Sequence, residues 1–188
     1  MKHIAAHGTL TDSRDGKKYK TVKIGEQIWM AENLNYEASG SKLYENVPEN
    51  GAKYGRLYSW ATAMRACPAG WHIPSNKEWD ELYRYADGTS DDIESPYASS
   101  KAGKYLKSKN DWSCYGGGED KCGFAALPSG RGKLAGEFAD LGYYGNWWSA
   151  SEHDTKYAYY RVMGYCFEYA NWSSDVKTCL LSIRCIKD

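Results

Sequence analysis

The feature that most constrains the fold is a change in the spacing of apolar residues along the chain. Residues 54–64 and 75–86 carry apolar side chains every three to four positions, which predicts two helices, the first ending before Pro68. Residues 124–188 alternate instead, in short segments separated by turn residues, which predicts strands with one buried face. A β-hairpin is expected at residues 17–30. The pattern therefore predicts an α+β fold with two helices and mainly antiparallel sheets.

Three segments lack a sustained period. Residues 1–11 are expected to be a loose lead-in, and residues 36–53, which are polar, are expected to be a surface loop. Residues 89–123 are expected to be mostly irregular, with a short helix or strand at 102–108.

Size and charge limit the classes of function. The 188 residues are typical of a single domain. Lys plus Arg and Asp plus Glu number 24 each, so there is no net field to attract nucleic acid or anionic lipid, and nucleic acid is not expected as a partner. No apolar run reaches the roughly 18 residues of a membrane span. The first residues lack the apolar core of a secretory signal, so an exported protein would be a mature form without its leader.

The cysteines indicate the compartment. They stand at positions 67, 114, 122, 166, 179 and 185, without a C-x-x-C pair or a Cys/His cluster of zinc spacing. An even number without metal spacing favours disulfides and an extracytoplasmic location. The alternative is a cytosolic protein with reduced core thiols.

The stretch GWHIPSNKEWDEL, residues 70–82, has two interpretations. Ser75 and Glu78 fit the capping box of a helix start, and Asp80 and Glu81 would lie in the first turns, where the helix dipole favours negative charge. His72 has no second histidine at ligand spacing. The stretch therefore predicts a helix start rather than a metal or catalytic centre.

Aromatic residues are concentrated between residues 142 and 172. Tyr and Trp give rigid contact area with a polar handle, which is typical of recognition surfaces. The other interpretation is that alternate residues face the core. Trp147 and Trp148 are adjacent and must point to opposite sides, so one ring could stack on a ligand. The candidate ligand-binding residues are Trp147, Trp148, Tyr157, Tyr159, Arg161, Tyr165, Tyr169 and Trp172.

Six stretches together resemble the Fibrobacter succinogenes major paralogous domain: DGKKYKTVKIGEQIWMAENLNY, YGRLYSWATAMRACPAGWHIPSNKEWDEL, AGKYLKS, GFAALPSG, WWSASE and SIRCIKD. The resemblance covers residues 9–188, which leaves residues 1–8 as a lead-in. The family occurs in many exported proteins and lipoproteins of Fibrobacter and Bacteroidetes. It is similar to a branch of the C-type lectin-like fold, which implies that the N-terminal and C-terminal strands are adjacent and that a loop-rich second sheet carries binding.

The resemblance also implies a disulfide scheme that spacing alone leaves open. It pairs Cys67 with Cys185, Cys114 with Cys122, and Cys166 with Cys179. C-type lectins that bind sugar through calcium use E-P-N or Q-P-D and W-N-D, which are absent here. No cofactor is expected, although calcium is possible at the oxygen ligands Glu152, Asp154, Asn171 and Asp175.

A weaker resemblance connects HIPSNKEWDELYRYADG and GNWW to the sulfatase-modifying, formylglycine-generating enzymes. Those motifs belong to the shared scaffold, and the reactive cysteine pair of these enzymes has no clear counterpart here. His153 stands between Glu152 and Asp154 without a serine or cysteine partner at an informative spacing. An enzyme is therefore not expected.

The resulting hypothesis is non-catalytic binding outside the cell or at its surface. Carbohydrate is the favoured ligand because of the aromatic segment and, by association, the fibre-degrading hosts of the family. The alternatives are a structural or adhesive surface protein that binds a protein partner, and an enzyme related to the formylglycine-generating type. The oligomeric state is not indicated.

Overall fold

A computed structural model describes residues 6–88, 101–114 and 116–188. The described strands are β1 (Ala6–Thr11), β2 (Lys18–Ile24), β3 (Gln27–Met30), β4 (Trp71–His72), β5 (Ser129–Lys133), β6 (Phe138–Leu141), β7 (Tyr144–Glu152), β8 (Tyr157–Gly164), β9 (Ala170–Val176), β10 (Cys179–Leu180) and β11 (Ile186–Lys187). The described helices are α1 (Pro48–Tyr54), α2 (Trp60–Ala63), α3 (Asn76–Asp87) and α4 (Ala102–Leu106), with a 3₁₀ turn at Tyr44–Asn46. These elements confirm a mixed α+β fold.

The first sheet joins the two ends of the chain. Its order is β1-β2-β3-β11-β4, with all neighbours antiparallel. The predicted hairpin is present as β2 and β3, and Gly25 turns between them with φ +61°. Ile186 in the last strand pairs with Trp29 on one side and His72 on the other. The C-terminal strand therefore lies beside the third strand rather than the first.

The second sheet contains most of the C-terminal half. Its order is β10-β5-β7-β8-β9, and β6 pairs with β5 as a third neighbour of that strand. The contact between β5 and β7 is parallel, and the other pairs are antiparallel. The sheet is therefore mainly antiparallel, as the alternating pattern predicts.

Helix α3 begins as the sequence predicts. The Ser75 side chain accepts a hydrogen bond from the Glu78 amide, and the Glu78 carboxylate accepts one from the Ser75 amide. Trp79, Leu82 and Tyr83 form the buried face of the helix. Glu78 is thus explained by the helix start, whereas Asp80 lies 2.8 Å from Arg161 of β8.

Three predictions of local structure are wrong. Strand β1 begins at Ala6, inside the expected lead-in, because Ala6–Thr11 pairs with β2 along its whole length. Helix α1 lies in the segment expected to be a loop. The helix expected from residue 54 begins only at Trp60, because the Leu57 and Tyr58 amides donate to the Lys42 and Leu181 carbonyls instead.

Two hydrophobic cores lie on opposite sides of β7. The first core packs α3 against both sheets and includes Trp29, Trp79 and Trp147. The second core includes Tyr58, Trp148 and Cys185. Adjacent residues of a strand point to opposite faces, so the neighbouring tryptophans enter different cores.

The disulfide between Cys67 and Cys185 confirms the first implied pair. The pairs Cys114–Cys122 and Cys166–Cys179 are wrong, since all four of these cysteines are free.

Physical separation explains both errors. Residues 119 and 121 donate backbone hydrogen bonds to carbonyls of α4 and so direct Cys122 against the first core, while Cys114 is exposed. Cys166 precedes β9 and Cys179 follows it, and a seven-residue strand spans about 20 Å.

Among the described residues, no helix is long and apolar enough to cross a membrane.

Candidate functional site

Three of the predicted ligand-binding residues belong to the protein interior. Trp147 and Trp148 are both fully buried, so the prediction that one ring reaches a ligand is wrong. The Trp147 indole donates to the Asn33 side-chain oxygen at 2.9 Å, and the Trp148 indole donates to the Tyr58 carbonyl at 2.7 Å. Both indole N–H groups therefore form hydrogen bonds inside the protein.

Arg161 is also buried, which contradicts its predicted place on a binding surface. Its Nη2 donates to the Asn76 carbonyl at 3.0 Å, and its Nη1 lies 2.8 Å from Asp80 Oδ1. This ion pair attaches β8 to the first turns of α3. Burial raises the pKa of Asp80, and the Arg161 guanidinium opposes that rise.

Three other predicted residues meet on one face of β8 and β9. Tyr157 and Tyr159 are two apart on β8 and so share a face, and Trp172 stands on β9 beside them. Together with His153 of the β7–β8 turn they form the aromatic row. The ring centroids are 5.2 Å apart for His153 and Tyr159, 6.4 Å for His153 and Tyr157, and 5.5 Å for Tyr159 and Trp172.

The start of α3 fixes where the aromatic row is open. Arg161 lies on the same face of β8 as Tyr157 and Tyr159, and it is covered by the helix that begins at Asn76. Tyr157, Tyr159 and Trp172 are only partly buried, and His153 is exposed. The covered part of the face therefore ends near Arg161, and the rings beyond it reach solvent.

The charged groups around the aromatic row are already engaged. Asp154 Oδ1 accepts hydrogen bonds from the Tyr157 and Lys156 amides, both at 2.8 Å, and these bonds lower the pKa of Asp154. Its other oxygen lies 3.1 Å from His153 Nδ1. Asp154 therefore stabilises the β7–β8 turn.

Ser174 pairs with Tyr159 between β8 and β9, so its hydroxyl lies on the face of the sheet that carries the aromatic row.

A buried polar cluster adjoins the aromatic row beneath α3. Five of its side-chain atoms lack a hydrogen bond: Asn76 Oδ1, Asp80 Oδ1, Tyr83 Oη, and Nε and Nη1 of Arg161. Asp80 Oδ1 lies at ion-pair distance from Arg161 without the alignment of a hydrogen bond. Burial raises the pKa of Tyr83, which keeps its hydroxyl neutral.

The last two predicted residues lie at the other end of the sheet. Tyr165 packs edge to face on Tyr143 and Tyr144, with centroids 5.2 and 6.3 Å apart. Tyr169 stacks on Phe167 at 4.7 Å. Tyr165 and Tyr169 follow the C-terminal end of β8, whereas Tyr157 and Tyr159 lie at its N-terminal end. The eight predicted residues therefore do not form one site.

A groove of about 710 Å³ lies between β5, β6 and the C-terminal end of β9, and sequence reasoning missed it. Its lining combines apolar side chains with charged ones, including Arg131, Phe138, Asp175 and Val176. Arg131 is 2.9 Å from Asp140 and 3.5 Å from Asp175. The groove forms only when β5, β6 and β9 come together, so no local sequence pattern predicts it.

The possible calcium ligands have separate partners. Glu152 lies 2.9 Å from Lys177, Asp154 holds its turn, and the Asn171 side-chain oxygen accepts from the Trp172 amide at 2.7 Å. Within the described part of the chain, no three His, Cys, Asp or Glu side chains are grouped to hold a metal ion. A role for calcium stays a prediction.

Comparison with known proteins identifies the family. A family model described as the Fibrobacter succinogenes major domain matches residues 22–187. The chain belongs to this family. Neither the curated proteins nor the solved structures give a match. In this Fibrobacter succinogenes major domain, the matched region includes the aromatic row and both cysteines of the disulfide.

Proposed function

We propose that this Fibrobacter succinogenes major domain is a non-catalytic binding domain, outside the cell or at its surface, that holds carbohydrate on the aromatic row. The observation that carries the proposal is the continuous contact of His153, Tyr159 and Trp172, partly open to solvent, on one face of the second sheet. Aromatic rings present apolar faces to the C–H groups of a sugar, while their polar atoms and Ser174 can bond its hydroxyls.

The angles between the rings favour one form of carbohydrate. Neighbouring rings in the aromatic row are tilted by 70° to 82°, so they do not share a plane. A flat crystalline surface would meet ring edges as well as ring faces. A separate polysaccharide chain can instead turn and place a sugar in the corner between two rings. The proposed ligand is therefore a soluble chain or its end.

Location and fold belong to the same proposal. The disulfide between Cys67 and Cys185 supports an oxidising, extracytoplasmic compartment. The C-terminal strand beside an N-terminal hairpin, together with a strand-rich second sheet, supports a C-type lectin-like arrangement. The use of the Asp154 carboxylate in its own turn supports a role in binding rather than catalysis.

A glycan array followed by affinity electrophoresis on soluble xylan and mixed-linkage glucan tests the proposal, with calcium and with chelator. We expect Tyr159→Ala and Trp172→Ala each to weaken binding by roughly tenfold or more, which is about 1.4 kcal/mol. Tyr143→Ala is the matched control, because Tyr143 is an exposed tyrosine with an edge-to-face partner at the opposite end of the sheet.

The melting temperature of each variant shows whether it is folded. Loss of binding in folded Tyr159→Ala and Trp172→Ala, with binding kept in Tyr143→Ala, supports the aromatic row. Unchanged binding in both row variants would exclude the row as the site. Retention of no glycan in either condition would exclude carbohydrate and leave a protein partner as the ligand.

A further inference from the structure

Two exposed thiols, those of Cys114 and Cys166, lie on turns that attach to the same connection between β6 and β7. The Ser113 amide donates to the Gly142 carbonyl at 2.8 Å, and the Tyr165 amide donates to the Tyr143 carbonyl at 2.8 Å. These acceptors are consecutive residues. The residues immediately before the two cysteines are therefore held side by side.

The two turns also touch through their backbones. The Gly116 amide donates to the Ser113 carbonyl at 2.9 Å, which closes a tight turn around Cys114. A Cβ atom at Gly116 would lie only 2.2 Å from the Tyr165 carbonyl oxygen. Only glycine allows this approach, which brings the turn of Cys114 against the residue next to Cys166.

Both sulfur atoms affect the pKa of Tyr165. Its pKa is raised first by the Cys166 thiol, then by desolvation, and then by the Cys114 thiol. Both thiols are thus within electrostatic reach of one phenol ring.

We infer that Cys114 and Cys166 form a second disulfide, which joins the segment after α4 to the β8–β9 turn. One thiolate attacks a disulfide oxidant such as oxidised glutathione or a dithiol oxidase, and a mixed disulfide forms as one thiol is released. The other thiolate then attacks the mixed disulfide and releases the second thiol. The two cysteines lose two electrons and two protons, and the oxidant disulfide is reduced to two thiols.

The other two free cysteines do not suit this reaction. Cys122 packs against the first core, and Cys179 is buried in the second core, so they lie in separate compartments of the protein. Burial raises the pKa of each thiol to about 11, which suppresses the reactive thiolate. They therefore serve as internal controls.

The proposed bond reinforces contacts that are already present. Lys107 Nζ donates to the Gly164 carbonyl at 3.0 Å and to the Phe167 carbonyl at 2.9 Å, so it binds the backbone on both sides of Cys166. This turn lies at the end of β8 remote from Tyr157 and Tyr159. The inference therefore does not depend on the proposed carbohydrate binding.

Tryptic mapping tests the inference directly, because cleavage after Lys and Arg places each cysteine on its own peptide. The full chain is equilibrated with oxidised and reduced glutathione, alkylated in the native state, alkylated with a second reagent after denaturation, and digested without reduction. We expect peptide 110–121 linked to peptide 162–177, and peptide 66–77 linked to peptide 185–187. Cys122 and Cys179 should carry the second reagent only.

Two variants make the test specific. In Cys114→Ser, the Cys166 thiol should be alkylated in the native protein while the link between Cys67 and Cys185 remains, which shows that the variant is folded. In Cys122→Ser, the link between Cys114 and Cys166 should persist. Native alkylation of both Cys114 and Cys166 in the parent protein, or a link from either to Cys122 or Cys179, would overturn the inference.

Discussion

Removal of the disulfide between Cys67 and Cys185 should cost a large part of the stability of the domain. The bond joins residues separated by 118 positions, and the loop-entropy relation gives about 4.9 kcal/mol for a closed loop of this length at 25 °C. Typical domains have unfolding free energies of about 5–15 kcal/mol. The double variant Cys67→Ala/Cys185→Ala should therefore melt roughly 10–20 °C below the parent protein.

Urea unfolding followed by tryptophan fluorescence measures the difference. Cys122→Ala is the matched control, because it removes a partly buried thiol without opening a loop. The control should unfold within about 1 kcal/mol of the parent. A double variant that also unfolds within about 1 kcal/mol of the parent, with an unchanged slope, would refute the reasoning, because the bond would then add little to the ordering of the chain.

Two further predictions concern the C-terminal residues. Burial lowers the pKa of His72, but its hydrogen bonds to Asp188 at 2.7 Å and Glu78 at 2.8 Å outweigh burial, so the net pKa is raised. The stabilisation that the protonated imidazole gains from these two carboxylates is present below the ordinary histidine pKa and is lost as pH rises through the raised pKa. In urea unfolding, the stability advantage of the parent over His72→Gln should be larger at about pH 5.5 than at about pH 8, and an equal difference would contradict this. Arg184→Met should lower the unfolding free energy by about 2–4 kcal/mol, because it leaves the Phe124 and Ala125 carbonyls without their Arg184 donors. It also removes one of the two donors to Asn33 Oδ1, the other being the Trp147 indole. A loss below about 0.5 kcal/mol in the same assay would contradict the assigned role.

Local signals in the sequence predicted local structure well. The capping box of Ser75 and Glu78 needs only residues three apart, and the hairpin at Gly25 needs only a turn between alternating segments, so both were predicted. The pair of Cys67 and Cys185 followed from the family resemblance rather than from spacing. These features share one property, which is that nearby residues or a known family specify them.

Features that depend on distant parts of the chain were harder to predict. Alternation correctly assigns Trp147 and Trp148 to opposite faces, but it does not say that both faces are covered. The same limit applies to Arg161, which looks like a surface residue until α3 is placed over it. The open part of the aromatic row is set by where that helix begins, and this depends on tertiary packing.

The placement of Trp147 and Trp148 has a consequence for how the domain loses its structure. The same strand supplies a wall to each core, so neither core keeps its packing if the other opens. Partial unfolding that preserves one side is therefore unfavourable, and the two sides behave as a single cooperative unit. Fluorescence from either indole should report one shared transition in spite of the separate environments of the two rings.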